Sequence, residues 1–121
     1  MANILCWFDL AVGDLKRASA FYRSVLACTL EAFENEGMQC AVFPHRDNDV
    51  AGCLVEQPGF KPNCSEALLV YFSVQGRLDQ AIAAVETHGG KVLSPKHSIG
   101  PHGFRAIVLD SEGNRIALHS M

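Results

Sequence analysis

The chain has 121 residues, a formal net charge of −3 and 49% hydrophobic residues. That is long enough for one domain with a real core, and too apolar for a disordered chain. No lysine or arginine run offers a surface to nucleic acid or an anionic membrane, and no 18-residue apolar run could span a bilayer.

Met1-Ala2-Asn3-Ile4 carries neither a basic stretch nor an apolar core of signal type. Alternation over Ile4 to Val12 predicts a first strand, with Phe8, Leu10 and Val12 on one face and Trp7, Asp9 and Ala11 on the other. Gly13-Asp14 stops it, and Asp14 is a helix N-cap. Leu15, Ala18, Tyr22 and Val25, widened by Phe21 and Leu26, predict a helix over Leu15 to Leu26. Strands are expected near Leu30–Phe33, Met38–Phe43 and Val50–Glu56, with turns at Asn35-Glu36-Gly37 and His45 to Asp49.

A linker rich in proline and glycine follows, and then the plan repeats. Leu68–Val74 reads as a strand. Leu78, Ile82 and Val85 mark a helix ending at Gly89-Gly90. Strands follow at Lys91–Leu93, Phe104–Leu109 and Arg115–Ser120. Gly52–Gln57 matches Arg115–Ser120 at a constant offset. Each half therefore reads β-α-β-β-β, and one helix cannot cover both faces of a sheet. The expected fold is α+β: paired modules forming a curved mixed sheet with a concave groove and helices on the outer side. Residues 1–121 are expected to form a single domain, with modules at 1–57 and 66–121 and a linker at 58–65.

The odd set Cys6, Cys28, Cys40, Cys53 and Cys64 has no C-x-x-C spacing. Reduced thiols in a cytoplasmic protein are the expectation, and none has an adjacent group that would make it a thiolate.

Phe8 to Tyr22 (F-D-L-A-V-G-D-L-K-R-A-S-A-F-Y), His88-Gly89-Gly90-Lys91-Val92, and Asp110 to Ser120 with its D-x-E-G-N-x-I-x-L plan give the chain a resemblance. It resembles the vicinal oxygen chelate superfamily, which contains glyoxalase I, bleomycin-resistance proteins and extradiol dioxygenases, and in wording its glyoxalase-related branch. The resemblance implies paired modules, a ligand groove inside the curved sheet, frequent homodimers, and a divalent metal held by His, Glu or Gln from the first and last strand of each half. Carried over by position, those ligands fall on Trp7, Leu69 and Ala117, and by the repeat offset on Leu54. None of these side chains offers the oxygen or nitrogen donors such a cation needs. The metal site, and with it the glyoxalase I proton transfer, is expected to be absent.

Two residues along from those positions, parity places Asp9, Glu56, Tyr71 and His119 on the same expected face. As a catalytic set, Asp9, Glu56 and His119 would act as acid and base, with Tyr71 as hydrogen-bond donor; as a displaced metal site they would hold a divalent cation. The plainer role is a solvated or loop-bonded rim. Of the four, Asp9 is expected to be enclosed. The ligand-binding set is Trp7, Phe43, Leu69, Tyr71, Phe104, Arg115 and Ala117, with Trp7, Phe43 and Tyr71 as an aromatic wall. Arg46, Arg105 and Arg115 could grip an anion, though exposure is the default for each. His97 to Gly103 reads as a surface loop that could close over the groove and bring Phe104 or Arg105 to a ligand. His88 is a helix C-cap.

Three functions compete: a metal-independent module binding a small, partly hydrophobic or aromatic molecule; a lyase or isomerase of glyoxalase-related type with a non-standard site; and a structural or interaction protein whose groove its own side chains fill. The first is the reading carried forward. It expects no cofactor unless the displaced polar set is real, a small-molecule ligand, and a homodimer without nucleic-acid or membrane partners.

Overall fold

The structure, a computed structural model, describes residues 3–121; Met1 and Ala2, and with them the start of the N-terminal reading, lie outside these. The first half runs β1 (Trp7–Val12), α1 (Leu15–Leu26), β2 (Glu31–Asn35), β3 (Met38–Val42) and β4 (Ala51–Glu56). The second half runs β5 (Val70–Ser73), α2 (Leu78–Thr87), β6 (Lys91–Ser98), β7 (Phe104–Leu109) and β8 (Arg115–Ser120), with a short 3₁₀ turn at Gly100–His102. Hydrogen bonds form two four-stranded mixed sheets of matching order, β1-β4-β3-β2 and β5-β8-β7-β6. The first strand of each module lies parallel to the last. This is the paired β-α-β-β-β architecture the repeat implies.

Local chemistry accounts for the helix ends. Asp14 accepts from Arg17 N at 3.0 Å and caps α1, a contact that contributes about 1 kcal/mol. Helix α1 buries Ala18, Phe21, Tyr22 and Val25 as one stripe. At the end of α2, His88 lies 3.0 Å through Nδ1 from the carbonyl of Ala84. Gly89 then takes a positive φ of 91°, which glycine adopts without strain.

Strands β2 and β5 shift by one or two residues at their ends from the expected bounds, and two elements differ more. The first strand begins at Trp7 rather than Ile4, and Ile4 and Leu5 are exposed. Its partner β4 begins at Ala51, paired with Trp7, so the residues before Trp7 have little strand to join. Strand β6 continues through Pro95 to Ser98, with register shifts at Val92/Ser94 and Ser94/His97. As an edge strand it tolerates both a proline and bulges. His97 therefore stands on a strand, not in a loop.

The helix-side faces of both sheets share one core, in which Leu10, Val12 and Leu54 meet Phe72, Val74, Ile116 and Leu118 beside both helices. Phe72 stacks near Phe8, Tyr22 and Phe43 at ring separations of 5.7, 5.3 and 5.2 Å. Burying such rings contributes roughly 2–3 kcal/mol each. Polar latches cross the same boundary. Asn114 Nδ2 donates to Ala11 O at 2.8 Å, and Arg77 Nη1 donates to Val25 O at 2.7 Å. Among the described residues, no helix is long and apolar enough to cross a membrane.

Candidate functional site

The helices and the core occupy one face of each sheet, so functional side chains belong on the other, open face. Register decides which residues reach it. In the first sheet Asp9 pairs with Cys53 and Leu10 with Leu54. In the second, Tyr71 pairs with Ala117 and Phe72 with Leu118. Leu10, Leu54, Phe72 and Leu118 all lie in the core. The residue matching Ala117 is therefore Cys53, and the offset between the two last strands is one residue longer than the sequence match suggests. In a strand a one-residue slip exchanges the faces.

The slip corrects the placement of Glu56. Its side chain turns to the helix side, where Oε2 accepts from Leu15 N at 2.7 Å at the start of α1. Ser120, its true counterpart, accepts in the same manner from Gly76 N at 3.1 Å. Glu56 thus does not join Asp9 and His119.

On the open face of the first sheet, Asp9 Oδ1 accepts from Trp7 Nε1 at 2.8 Å and from Cys53 Sγ at 3.3 Å. Burial first, and then the Asp9 hydrogen bond and charge, push the Cys53 thiol up to about 12. Asp9 is exposed rather than enclosed. Trp7, 42% exposed, meets His45 edge-on at 6.2 Å.

A second group stands on the open face of the other sheet. Arg105 of β7 donates through Nη1 to the Tyr71 hydroxyl and through Nε to His97 Nε2 at 2.9 Å. His97 Nδ1 lies 2.9 Å from Pro95 O, so the network assigns the proton to Nδ1 and leaves Nε2 to accept. His119 Nε2 lies 2.6 Å from the carbonyl of His102 and is its donor. Tyr71, Ile99, His102, Arg105 and His119 surround an open cavity of about 510 Å³. Farther along β8, Arg115 is half-buried and its Nη1 has no hydrogen-bond partner.

The remaining expected ligand-binding residues separate. Phe43 is 7% exposed and faces the core, against Phe8, Tyr22 and Phe72. It therefore forms no wall with Trp7. It does border a cleft of about 350 Å³ between the modules, which Phe8, Gly52, Tyr71 and Phe72 also line. Phe104 shares the helix-side parity of Ala106 and Val108, and its ring lies 5.3 Å from Lys96 Nζ. Leu69 is half-buried at the entrance to β5, and Ala117 is fully buried. The structure thus brings Tyr71 and His119 together on one face and leaves Asp9 in a separate hydrogen-bonded group.

Strand register moves the fourth of the metal-ligand positions implied by the resemblance from Leu54, which lies in the core, to Cys53, so the four positions hold Trp7, Cys53, Leu69 and Ala117. One neutral thiol among them is a poor donor set for a divalent cation. Among the described residues no group of three or more His, Cys, Asp and Glu is placed to hold a metal ion. Arg105 is legible in the sequence as a candidate anion grip, whereas Cys53 as the counterpart of Ala117 and the hydrogen bond between His97 and Arg105 are not.

The family model of the glyoxalase/bleomycin resistance protein/dioxygenase superfamily matches residues 4–118. No curated protein matches the chain. Among solved structures, a glyoxalase/bleomycin resistance protein from Albidiferax ferrireducens T118 is 18% identical, with a TM-score of 0.75 over 98% of this chain and 100% of that one. The E126Q mutant of the fosfomycin resistance protein FosX from Listeria monocytogenes, complexed with Mn(II) and 1S,2S-dihydroxypropylphosphonic acid, is 16% identical, with a TM-score of 0.70 over 98% and 93%. An E144Q mutant of glyoxalase I from Zea mays is 21% identical, with a TM-score of 0.72 over 95% of this chain and 46% of that one. At such identities the likeness is one of fold, and fold leaves the reaction open.

Proposed function

This chain belongs to the glyoxalase/bleomycin resistance protein/dioxygenase superfamily, and on that premise we propose that it binds a small, partly hydrophobic or aromatic molecule without a metal ion. The observation that carries the reading is the pair of aromatic side chains on the open faces. Trp7 on β1 and Tyr71 on β5 are 42% and 43% exposed, and Tyr71 lines both the cleft between the modules and the cavity beside His119. Aromatic walls with a few polar groups to fix orientation are the usual make-up of a ligand site. The donor-poor ligand positions give the same direction, since a Mn(II)-type site needs oxygen and nitrogen donors.

Trp7, Tyr71 and Arg115 are the ligand-contacting residues of this reading, with Leu69 and Ala117 as packing beneath them. A homodimer belongs to it as well, as the family resemblance implies. So does a cytoplasmic location, supported by five free thiols. A second reading, a lyase or isomerase of glyoxalase-related type, draws support from His119, whose imidazole shares a cavity with Tyr71 and Arg105. In that reading His119 moves the proton.

A thermal-shift screen of chelator-free protein against aromatic acids and small carbonyl compounds tests the binding reading. Stabilisation by at least one aromatic compound is expected. Stabilisation by none, or by divalent cations alone, would contradict it. Light scattering during gel filtration checks the dimer, a mass near twice 13.1 kDa being expected.

A further inference from the structure

We propose that Arg105 and Tyr71 anchor the carboxylate of a small, flat organic acid on the open face of the second sheet. The proposal names a ligand class for the binding reading above and rests on it.

Arg105 is a half-buried cation without a counter-ion. The ion pairs among the described residues are Arg17 with Glu112 and Lys96 with Asp79, and no carboxylate lies within pairing distance of Arg105. Its orientation is nonetheless fixed. Nε donates to His97, Nη1 donates to Tyr71, and His97 is itself anchored to Pro95 O. A guanidinium has five N–H groups. Two are used here, so the Nη1–Nη2 edge keeps three. Two parallel donors on that edge match the two oxygens of a carboxylate. The Tyr71 hydroxyl accepts from Arg105 and keeps its own hydrogen to donate.

The cavity walls fit the rest of such a ligand. They are the Tyr71 ring, Ile99 and two imidazole rings, and no acidic side chain lines the space. His119 is held by the carbonyl of His102. One arginine without a lysine or a helix N-terminus suits a planar, singly charged group better than a phosphate, which calls for denser donors. Arg115, with its unpartnered Nη1, adds a second unneutralised cation to the same sheet face, whereas the open face of the first sheet presents Asp9. Charge thus sends an anion to the second sheet.

Isothermal titration of the full chain with benzoate, benzyl alcohol and inorganic phosphate tests the anchor in wild type, Arg105→Gln, Arg105→Lys and Tyr71→Phe. Benzoate should bind wild type more tightly than benzyl alcohol does. Arg105→Gln should weaken benzoate by about tenfold or more while leaving benzyl alcohol unchanged. Arg105→Lys, which keeps the charge and loses the fork, and Tyr71→Phe should each weaken benzoate by a smaller factor. Near-ultraviolet circular dichroism establishes that each variant is folded; if Arg105→Gln is not, the other two carry the test. Equal binding of benzoate and benzyl alcohol, insensitive to Arg105, would overturn the anchor and leave the small-molecule reading standing. Phosphate bound in preference to benzoate would overturn the carboxylate assignment. Failure of all three probes would remove the anchor and the aromatic-ligand reading together.

Discussion

Tyr22 and Asp110 lie 88 residues apart and meet in a 2.6 Å hydrogen bond, the phenol donating to Oδ2. Both are buried at the junction of the two modules. Asp110 Oδ1 also accepts from the backbone N–H groups of Glu112 and Asn114, so the last turn of the chain is fastened to the first helix. Replacing Tyr22 by Phe keeps the ring and leaves Oδ2 with only the 3.2 Å contact to Asn114 Nδ2. Leaving a buried acceptor short of a partner costs about 1–3 kcal/mol. Urea denaturation of Tyr22→Phe should show that loss with an unchanged m-value, and an unchanged midpoint would contradict the latch.

Glu112 makes stability depend on acid. Burial alone would push its carboxyl up, but donors from Arg17, Asp14 N and Ser111, together with the Arg17 charge, outweigh burial and hold it below the usual carboxylate range. A carboxyl depressed in the folded state stabilises fully above its unfolded value, near about 4.3, and loses that contribution as pH falls through the folded value. Arg17 is 57% exposed on its side of the pair, so solvent screening limits the pair itself to about 1 kcal/mol or less. Thermal unfolding at stepped pH should show wild type losing stability below about pH 4 more steeply than Glu112→Gln. Parallel curves would count against this role.

Ala27 closes α1 in the left-handed region, with φ 53° and ψ 48°. A Cβ costs roughly 1–2 kcal/mol there, while glycine adds chain entropy to the unfolded state. Ala27→Gly should therefore raise stability by about 0.5–1 kcal/mol. Differential scanning calorimetry measures it directly, and a lowered Tm would show that Ala27 packs for a reason beyond the cap.

Four of the five thiols should divide into two classes, with the half-buried Cys28 between them. Cys6 and Cys64 are exposed, whereas Cys40 and Cys53 are buried. With Cys53 pushed up to about 12, it has almost no thiolate near neutrality. Labelling at pH 8 should modify Cys6 and Cys64 first and reach Cys40 and Cys53 only on unfolding. Asp9→Ala should speed the reaction of Cys53, because it removes a hydrogen bond and a negative charge that favour the thiol. Rapid labelling of Cys53 in the wild type would refute this environment.

The sequence made α1 readable because two local signals agree: the Asp14 cap and the apolar stripe from Leu15 to Leu26. It also exposed the repeat, since each half had to find cover for a sheet face. Registration between the halves was beyond it. Gly52–Gln57 and Arg115–Ser120 look alike at one offset, while strand pairing obeys another, and that single residue moved Glu56 from the open face to the helix start. Periodicity reports which face a residue shares with its neighbours, not which strand lies opposite. Tyr22–Asp110 and Arg105–Tyr71 were hidden for the same reason: each partner belongs to a different strand or helix, and tertiary packing alone brings them together. The strand expected over Lys91–Leu93 runs on through Pro95 to Ser98, because β6 is an edge strand, where a proline is tolerated.

The central claim is ligand binding that owes nothing to a metal ion. The affinity for benzoate of protein purified without chelator, compared before and after exhaustive dialysis against EDTA, tests it most directly. An unchanged dissociation constant is the expected result. Loss of binding on chelation, restored by one equivalent of a divalent metal, would contradict the account.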